Sequence, residues 1–292
     1  MKNYSSSRIF PEPDFPLAIA CVTQQPAMVP HTHDYWELVL VAYGHTTHHL
    51  SPGEPAECLS GMLQGDVFTI APGEIHSYSA SCNLKLYNIS LQQELLSAEF
   101  SELMKLDSCR MLFHADRDRH FEYLHLLPRR RLEAMRSLNR AAHALAVRGP
   151  GYRLAAKNAL IEFLLTTASG RSLAQPRASQ PVGDRFLEAF ARLETEFAQP
   201  FSLDKQARLS GMSVAAYTRK FRLHTGLSPL EYCMALRMEK VRQLLLETDL
   251  PLSEIAFATG FCDSNYLIKM FRRRHHITPM RYRRQYLGST PG

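Results

Sequence analysis

Four residues in the first quarter of the chain have the types and spacing to act together on a metal ion or a polar ligand. His31, His33 and Glu37 share one parity, so an extended backbone turns all three to the same face. A second segment, from Gly65 to His76, can bring another imidazole to the same place. Three imidazoles and one carboxylate can bind a divalent transition metal. The same four groups also read as polar residues at a pocket mouth that needs no metal. His45, His48 and His49, on what reads as the next strand, fit pocket lining or surface better than ligation. A small-molecule pocket needs apolar walls with a few placed polar groups. Trp36, Tyr43, Phe68, Tyr78 and Tyr87 are candidate walls, while Asn88 and His45 could orient hydroxyl groups; the competing reading of each aromatic is plain core.

The segments holding these residues must be strands for the parity argument to work. From about Phe15 to Ser90, apolar residues alternate with polar ones, punctuated by Pro52-Gly53, Gly61, Gly65-Asp66 and Pro72-Gly73. The histidine segments resemble the two cupin motifs. The first, H-x-H-x3-E-x6-G, fits from His31 to Gly44; the second, G-x5-P-x-G-x2-H, fits from Gly65 to His76 with Ala71 at the proline position and Pro72 after it. The resemblance implies a small β-barrel or jelly roll with an internal pocket. Ahead of it, the proline-punctuated arm from Phe10 to Pro16 reads either as a latch over that pocket or as a loose tail. From Gln92 to Ala168 the period becomes helical, with amphipathic stretches at Arg129–Val147 and Leu154–Thr167 separated by Gly149-Pro150-Gly151. Residues 169–183 are small, polar and aperiodic and read as a flexible linker, followed by a helix from near Asp184.

The last third contains one pattern twice. Leu203, Ala207 and Gly211 recur as Leu252, Ala256 and Gly260, a shift of 49; Arg219, Phe221, Pro229 and Tyr232 recur as Lys269, Phe271, Pro279 and Tyr282, a shift of 50. Each copy reads as helix, tight turn, helix, with Ser202, Ser213 and Asp263 as N-caps and a glycine at each turn. That is the helix-turn-helix pattern, whose second helix can enter the DNA major groove. An amphipathic helix through Leu236, Val241, Leu244 and Leu245 joins the copies.

At this point the chain resembles the AraC/XylS family of bacterial transcription regulators. The resemblance rests on Ala207, Gly211, Phe221, Thr225-Gly226, Ser228-Pro229, Tyr232, Arg237, Ile255-Ala256, Gly260-Phe261, Tyr266, Phe271 and Thr278-Pro279. The chain departs from the pattern at Val241 (usually alanine), His276 (usually glycine) and Ile268 (usually less apolar). The resemblance implies a small-molecule effector in the N-terminal domain and a homodimer contact through the helices after the barrel. If the protein is an activator, it also implies contact with RNA polymerase. The effector is expected to be a sugar, by likeness to rhamnose- and arabinose-responsive members.

Charge placement agrees. Residues 183–292 hold 17 basic and 11 acidic side chains, and the preceding residues hold 17 of each, so the whole net charge of +6 lies on the repeated unit. Neutralising phosphates with Lys and Arg supplies most non-specific DNA affinity. On the first recognition helix, Ala215, Thr218 and Arg219 are expected to face DNA because Tyr217 and Phe221 face the core; on the second, Ser264, Asn265, Ile268 and Lys269 take those places. Arg219 could bond guanine and Asn265 adenine. Arg222, Arg272, Arg273 and Arg274 read as phosphate anchors, which position without specifying sequence.

The remaining bounds are broad. A chain of 292 residues has room for two domains. No run approaches the roughly 18 apolar residues of a membrane span. The N-terminus lacks an apolar secretory core, so a cytoplasmic location is expected, nucleoid-associated when bound. Six scattered cysteines, with no C-x-x-C pair, read as reduced structural thiols. The fold expected is α+β in two domains: a cupin-like β-barrel or jelly roll with its helices at 1–168, a linker at 169–183, and an all-α unit with two helix-turn-helix motifs at 184–292. The function expected is a sequence-specific, effector-responsive DNA-binding transcription regulator, read as an activator, acting on promoter half-sites as a homodimer. It is expected to be no enzyme and to require no cofactor, with a divalent metal at His31, His33, Glu37 and His76 left open. Two other readings stay open: a metal-dependent cupin enzyme fused to a DNA-binding domain, and a ligand-independent regulator controlled by abundance or by a partner protein.

Overall fold

The computed structural model describes residues 2–23, 27–53, 57–113, 120–168, 171–176 and 184–287. They fall into two compact units, 1–191 with 223–226, and 192–222 with 227–292. Among the described residues no helix is long and apolar enough to cross a membrane.

The first unit is built on one nine-stranded sheet. Its strands are β1 (Lys2–Tyr4), β2 (Leu17–Thr23), β3 (Met28–His33), β4 (Trp36–Leu50), β5 (Cys58–Leu63), β6 (Asp66–Ile70), β7 (His76–Leu91), β8 (His120–His125) and β9 (Arg171–Pro176). The order is β1-β3-β7-β4-β6-β8-β9, with β2 also on β7 and β5 also on β4. Among the described residues β1 and β9 end this path without pairing to each other, so the expected barrel is a curled sheet rather than a closed one.

Alternation along β4 sets the two faces. Leu38, Leu40 and Ala42 pack with Tyr87, Ile89 and Leu91 against helices α4 (Pro128–Val147) and α5 (Tyr152–Thr167). Val39 and Val41 join Phe68, Ile70, Tyr78, Leu84 and Leu86 in a second cluster drawn from the strands alone. A sheet face covered only by its own strands must curl upon itself to exclude water. Register shifts in β4 between Val41 and Thr47, where Gly44 takes φ 76°, then invert the alternation.

α4 and α5 form a helical hairpin whose break falls at Gly149-Pro150-Gly151, as expected, with Arg148 and Gly151 both left-handed. Shorter helices α2 (Phe100–Leu103) and α3 (Asp107–Phe113) precede them. Two strands depart from expectation. β8 lies inside the stretch read as helical, held to β6 by the pairs Asp66–His125 and Val67–Leu124 and by a buried 2.7 Å contact between Asp66 and His125 side chains. β9 occupies part of the expected linker and pairs along β8; residues 169–170 and 177–183 lie outside the described residues.

The N-terminal arm is packed rather than loose. β1 adds parallel to β3, and α1 (Ser6–Ile9) is tied down by Asp34, which accepts from the Ser6 backbone N–H at 2.6 Å. Phe10 is buried against Tyr35, Glu12 is bonded to Tyr152 and Arg153, and Asp14 accepts from Arg153 at 2.7 Å.

The C-terminal helices repeat a pattern. α6 (Asp184–Thr195), most of whose residues belong to the first unit, is followed by α7 (Leu203–Leu209) and α8 (Val214–Thr225); α9 (Pro229–Glu247) connects to α10 (Leu252–Ala258), α11 (Ser264–His275) and α12 (Pro279–Leu287). Ser202, Ser213 and Asp263 accept from backbone N–H groups three residues on, as their sequence positions require. α9 starts with proline at its first turn and a reciprocal Ser228–Glu231 capping box. Gly211 and Gly260 take φ 66° and 78° at the two turns. Arg237 of α9 donates to the carbonyls of Phe197 (2.8 Å), Gln199 (2.8 Å) and Gly260 (2.6 Å), binding the loop before the first helix pair to the turn of the second. His276 follows α11 in the left-handed region at φ 61°, where the family pattern has glycine, and Val241 is fully buried in the core of the second half.

Candidate functional site

The predicted histidines converge where three strands meet. β3 supplies His31 and His33, the start of β4 supplies Glu37, and the start of β7 supplies His76, which stands opposite His31 in the ladder. Ring centroids of His31 and His76 are 4.1 Å apart, those of His33 and His76 5.4 Å, and His48 lies 5.6 Å from His76. One ligand-capable atom each of His33, Glu37 and His76 lies within 4.8 Å of the others. His31 does not join that set; its Nδ1 is 3.0 Å from the Val29 carbonyl.

All four residues are buried. Burial lowers the imidazole pKa values, to about 4 for His33, so the rings are neutral at ordinary pH, the form that binds metals. Burial also pushes the Glu37 carboxyl up to about 7. His33 Nδ1–H donates to the Tyr35 carbonyl at 2.7 Å, which leaves its Nε2 lone pair directed toward Glu37, 3.9 Å away. Among the described residues His33 Nε2, Glu37 Oε1 and both His76 nitrogens have no hydrogen-bond partner. Buried polar atoms are rarely left so, and a divalent ion would satisfy the first two and one nitrogen of His76. Three of the four residues, His33, Glu37 and His76, therefore fit the divalent metal that the sequence leaves open.

Glu37 and His31 also line a cavity of about 470 Å³, together with Tyr4, Ile9, Ala18, Ile19, Ala20, Met28, Tyr35, Asn88 and Ser90. This is the size of a small-ligand site. Asn88 Oδ1 is buried there without a partner. A smaller cavity of about 250 Å³ lies beside it, between Phe15, Leu17, Leu145 and Tyr152. Tyr4 and Ile9 of the arm are walls of the larger cavity that the sequence did not suggest, and Tyr35 and Ser90 were also missed.

Not every expected pocket residue arrives. Trp36 and Tyr87 belong to the helix-covered face: Trp36 meets Phe113 edge-on at 5.6 Å, and the Tyr87 hydroxyl donates to Asn139 at 2.8 Å. Tyr43 is exposed, with Lys85 and Arg131 over its ring. Those three do not line the cavity. Phe68 and Tyr78 pack behind the histidines against His48, and His45 is buried beyond the bulge in β4.

In the second unit, the buried faces of α8 and α11 are marked by Tyr217, Phe221, Leu267 and Phe271. Ala215, Arg219 and Arg222 are exposed and Thr218 is half-buried; Asn265, Lys269, Arg272, Arg273 and Arg274 are exposed, with Ser264 and Ile268 half-buried. Five of the six cysteines, Cys21, Cys82, Cys109, Cys233 and Cys262, are free thiols.

Residues 13–164 match the AraC-like ligand binding domain, and residues 206–285 match a helix-turn-helix domain. Over 94% of both chains, this chain is 29% identical to the HTH-type transcriptional activator RhaS of Enterobacter sp. (strain 638). It is 27% identical to the RhaS of Escherichia fergusonii, over 97% of both. Among solved structures, the DNA-binding domain of AdpA in complex with a target DNA is 28% identical over 37% of this chain and 96% of that one, with a TM-score of 0.35.

Proposed function

The chain belongs to the AraC family of transcription regulators, and from that premise we propose that it activates transcription in response to a small polyhydroxylated effector, a sugar, held in the cavity beneath its N-terminal arm. The observation that carries this reading is the pairing of two helix-turn-helix units, bearing the whole net charge of the chain, with a ligand-sized cavity in the other unit. Full-length relatives carry the name of transcriptional activators. The cavity lining offers hydroxyl, amide, imidazole and carboxylate groups and no Lys or Arg, which suits a neutral hydroxylated ligand better than an anion.

In this reading α8 and α11 enter successive major grooves about one DNA turn apart. Ala215, Thr218 and Arg219 on one helix, and Ser264, Asn265, Ile268 and Lys269 on the other, meet base edges, while Arg222, Arg272 and Arg273 hold phosphates. Leu154 and Leu165, eleven residues apart on one face of α5, are 65% and 53% exposed and supply a compact apolar seam for a homodimer. Effector binding shifts the population of arm and dimer states, and so changes how paired DNA-reading units engage adjacent half-sites and RNA polymerase. Residues 1–168 thus serve effector binding and dimerisation, and residues 184–292 read DNA.

The test is a thermal-shift screen of the full chain against neutral sugars, followed by DNA binding with and without any hit. A ligand that binds the folded protein at about 100 times its Kd adds about 2.7 kcal/mol of apparent stability. If no neutral sugar shifts the transition while sugar acids or other anions do, the effector class is wrong. Arg219→Ala is expected to relax preference at one base pair, at a cost of about 1–3 kcal/mol on the preferred site and little on sites altered there. A uniform loss across permuted sites would move Arg219 from base reading to phosphate holding.

A further inference from the structure

We propose that His33, Glu37 and His76 hold a divalent transition-metal ion in the wall of the cavity, and that the effector's vicinal hydroxyls complete its coordination. The metal site stands on its own observations; only the effector's part in it rests on the function proposed above.

Three strands each deliver one donor, and the donor atoms already lie within 4.8 Å of one another. Donors around a zinc-sized ion at about 2.0–2.2 Å from it stand about 3–4 Å apart, a difference that small side-chain rotations close. Among the described residues the candidate ligand atoms have no hydrogen-bond partner: His33 Nε2, Glu37 Oε1 and either nitrogen of His76, one of which would bind the ion. The Tyr35 carbonyl, by holding His33 Nδ1–H, fixes the ring in the tautomer and orientation that metal ligation needs. Among the described residues Glu37 has no Lys or Arg ion pair and stands 3.9 Å from His33 Nε2, so a cation seated between them would meet both donors. Two imidazoles and one carboxylate select zinc, iron, cobalt, nickel or manganese over calcium and magnesium, which prefer oxygen cages.

The position of His31 decides what the ion faces. Sequence parity placed it among the ligands, but its Nδ1 lies on the Val29 carbonyl and its ring stands tilted at 49° to that of His76. A three-donor set leaves positions open, and Glu37 is shared by the donor set and the cavity wall. Adjacent hydroxyls of a polyol, a bidentate oxygen pair, would fill them, with Asn88 and Ser90 on the same cavity wall.

The full chain, stripped with a chelator, is titrated with Zn(II) by calorimetry and with Co(II) by visible absorption. One equivalent is expected to bind, and Co(II) is expected to give ligand-field bands of a nitrogen–oxygen site. Glu37→Gln, nearly isosteric, is expected to lower affinity by about 100-fold or more, beyond the usual loss from an outer-sphere change. His49→Ala, which removes the separate His49–Glu57 pair, is expected to leave it unchanged. Absence of stoichiometric binding in the wild type, or wild-type affinity in Glu37→Gln, overturns the site. Should Glu37→Gln fail to fold by circular dichroism, the wild-type Co(II) spectrum still decides. The sugar screen is then run on stripped and Zn(II)-loaded protein. A shift seen only with metal supports the shared site; an equal shift in stripped protein overturns the ion's part in effector binding and leaves the regulator reading intact. Metal binding without any sugar shift overturns the proposed coordination of effector hydroxyls and counts against the sugar reading, while leaving the metal site itself standing.

Discussion

Gly260→Ala is expected to destabilise the second unit by about 3–5 kcal/mol and to abolish DNA binding near 37 °C. Gly260 takes φ 78°, a conformation that costs an L-residue about 1–2 kcal/mol. The larger cost is steric. A Cβ there would stand 2.8 Å from Ala198 Cα and closer still to its carbonyl oxygen. Backbone of this kind gives way only by moving its segment, and that segment is pinned: Arg237 holds the carbonyls of Phe197 and Gln199 on either side of Ala198 and that of Gly260 itself. Relief of the clash must therefore break charge-assisted bonds worth about 1.5–3 kcal/mol each, less where solvent reaches them. Gly151→Ala is the matched control, since φ is 76° and no atom lies within 4 Å of the added carbon. It is expected to cost about 1–2 kcal/mol, in the first unit only. Thermal and urea unfolding of the full chain, with DNA binding as the probe of the second unit, distinguish the two. Equal costs for both substitutions would mean that the turn has room that its geometry denies.

The second unit was largely legible because its signals are local. Helix starts at Leu203 and Leu252 differ by 49 and those at Pro229 and Pro279 by 50, the shifts read from the sequence. Caps and turn glycines sit where short-range hydrogen bonding and positive φ demand them. His276 shows the limit of the family pattern: the left-handed position is retained without glycine, at the cost that such a residue carries. The sheet was less legible because its decisive contacts are distant in sequence. β8 is made a strand by pairing with β6, nearly 60 residues earlier, and with β9, nearly 50 residues later, contacts that no local period reports. The aromatic wall assignments failed for a reason the sequence did contain. Trp36 adjoins Glu37 and Tyr87 adjoins Asn88, and side chains of neighbours on one strand turn to opposite faces of the sheet, so the two aromatics go to the helix-covered face while Glu37 and Asn88 line the cavity. Tyr43 was beyond reach, because the bulge that redirects it is set by cross-strand register.

Replacing Arg272, Arg273 and Arg274 together by alanine is expected to weaken binding to every duplex by about 10- to 100-fold near physiological salt, and to flatten the dependence of log K on log salt by about 2–3 units. Each phosphate neutralised releases counterions and contributes about 0.9 to that slope, so the slope counts contacts independently of affinity. The three arginines are exposed in the last turn of α11, away from the buried row of Leu267 and Phe271. Their charge also favours the helix C-terminus by about 0.3–1 kcal/mol each, so some affinity could be lost through fraying rather than through lost contacts. Fraying and phosphate release differ in their salt signature. A frayed α11 lowers affinity and melting temperature while leaving the remaining contacts, and their slope, in place. Loss of phosphate contacts flattens the slope at unchanged helical content. Arg219→Ala sets the contrast, because a base contact changes which sequence is preferred more than how salt acts on binding. If the triple substitution instead altered sequence preference and left the slope intact, the last turn of α11 would be reading bases, and the division of this helix into a reading face and an anchoring end would be reversed.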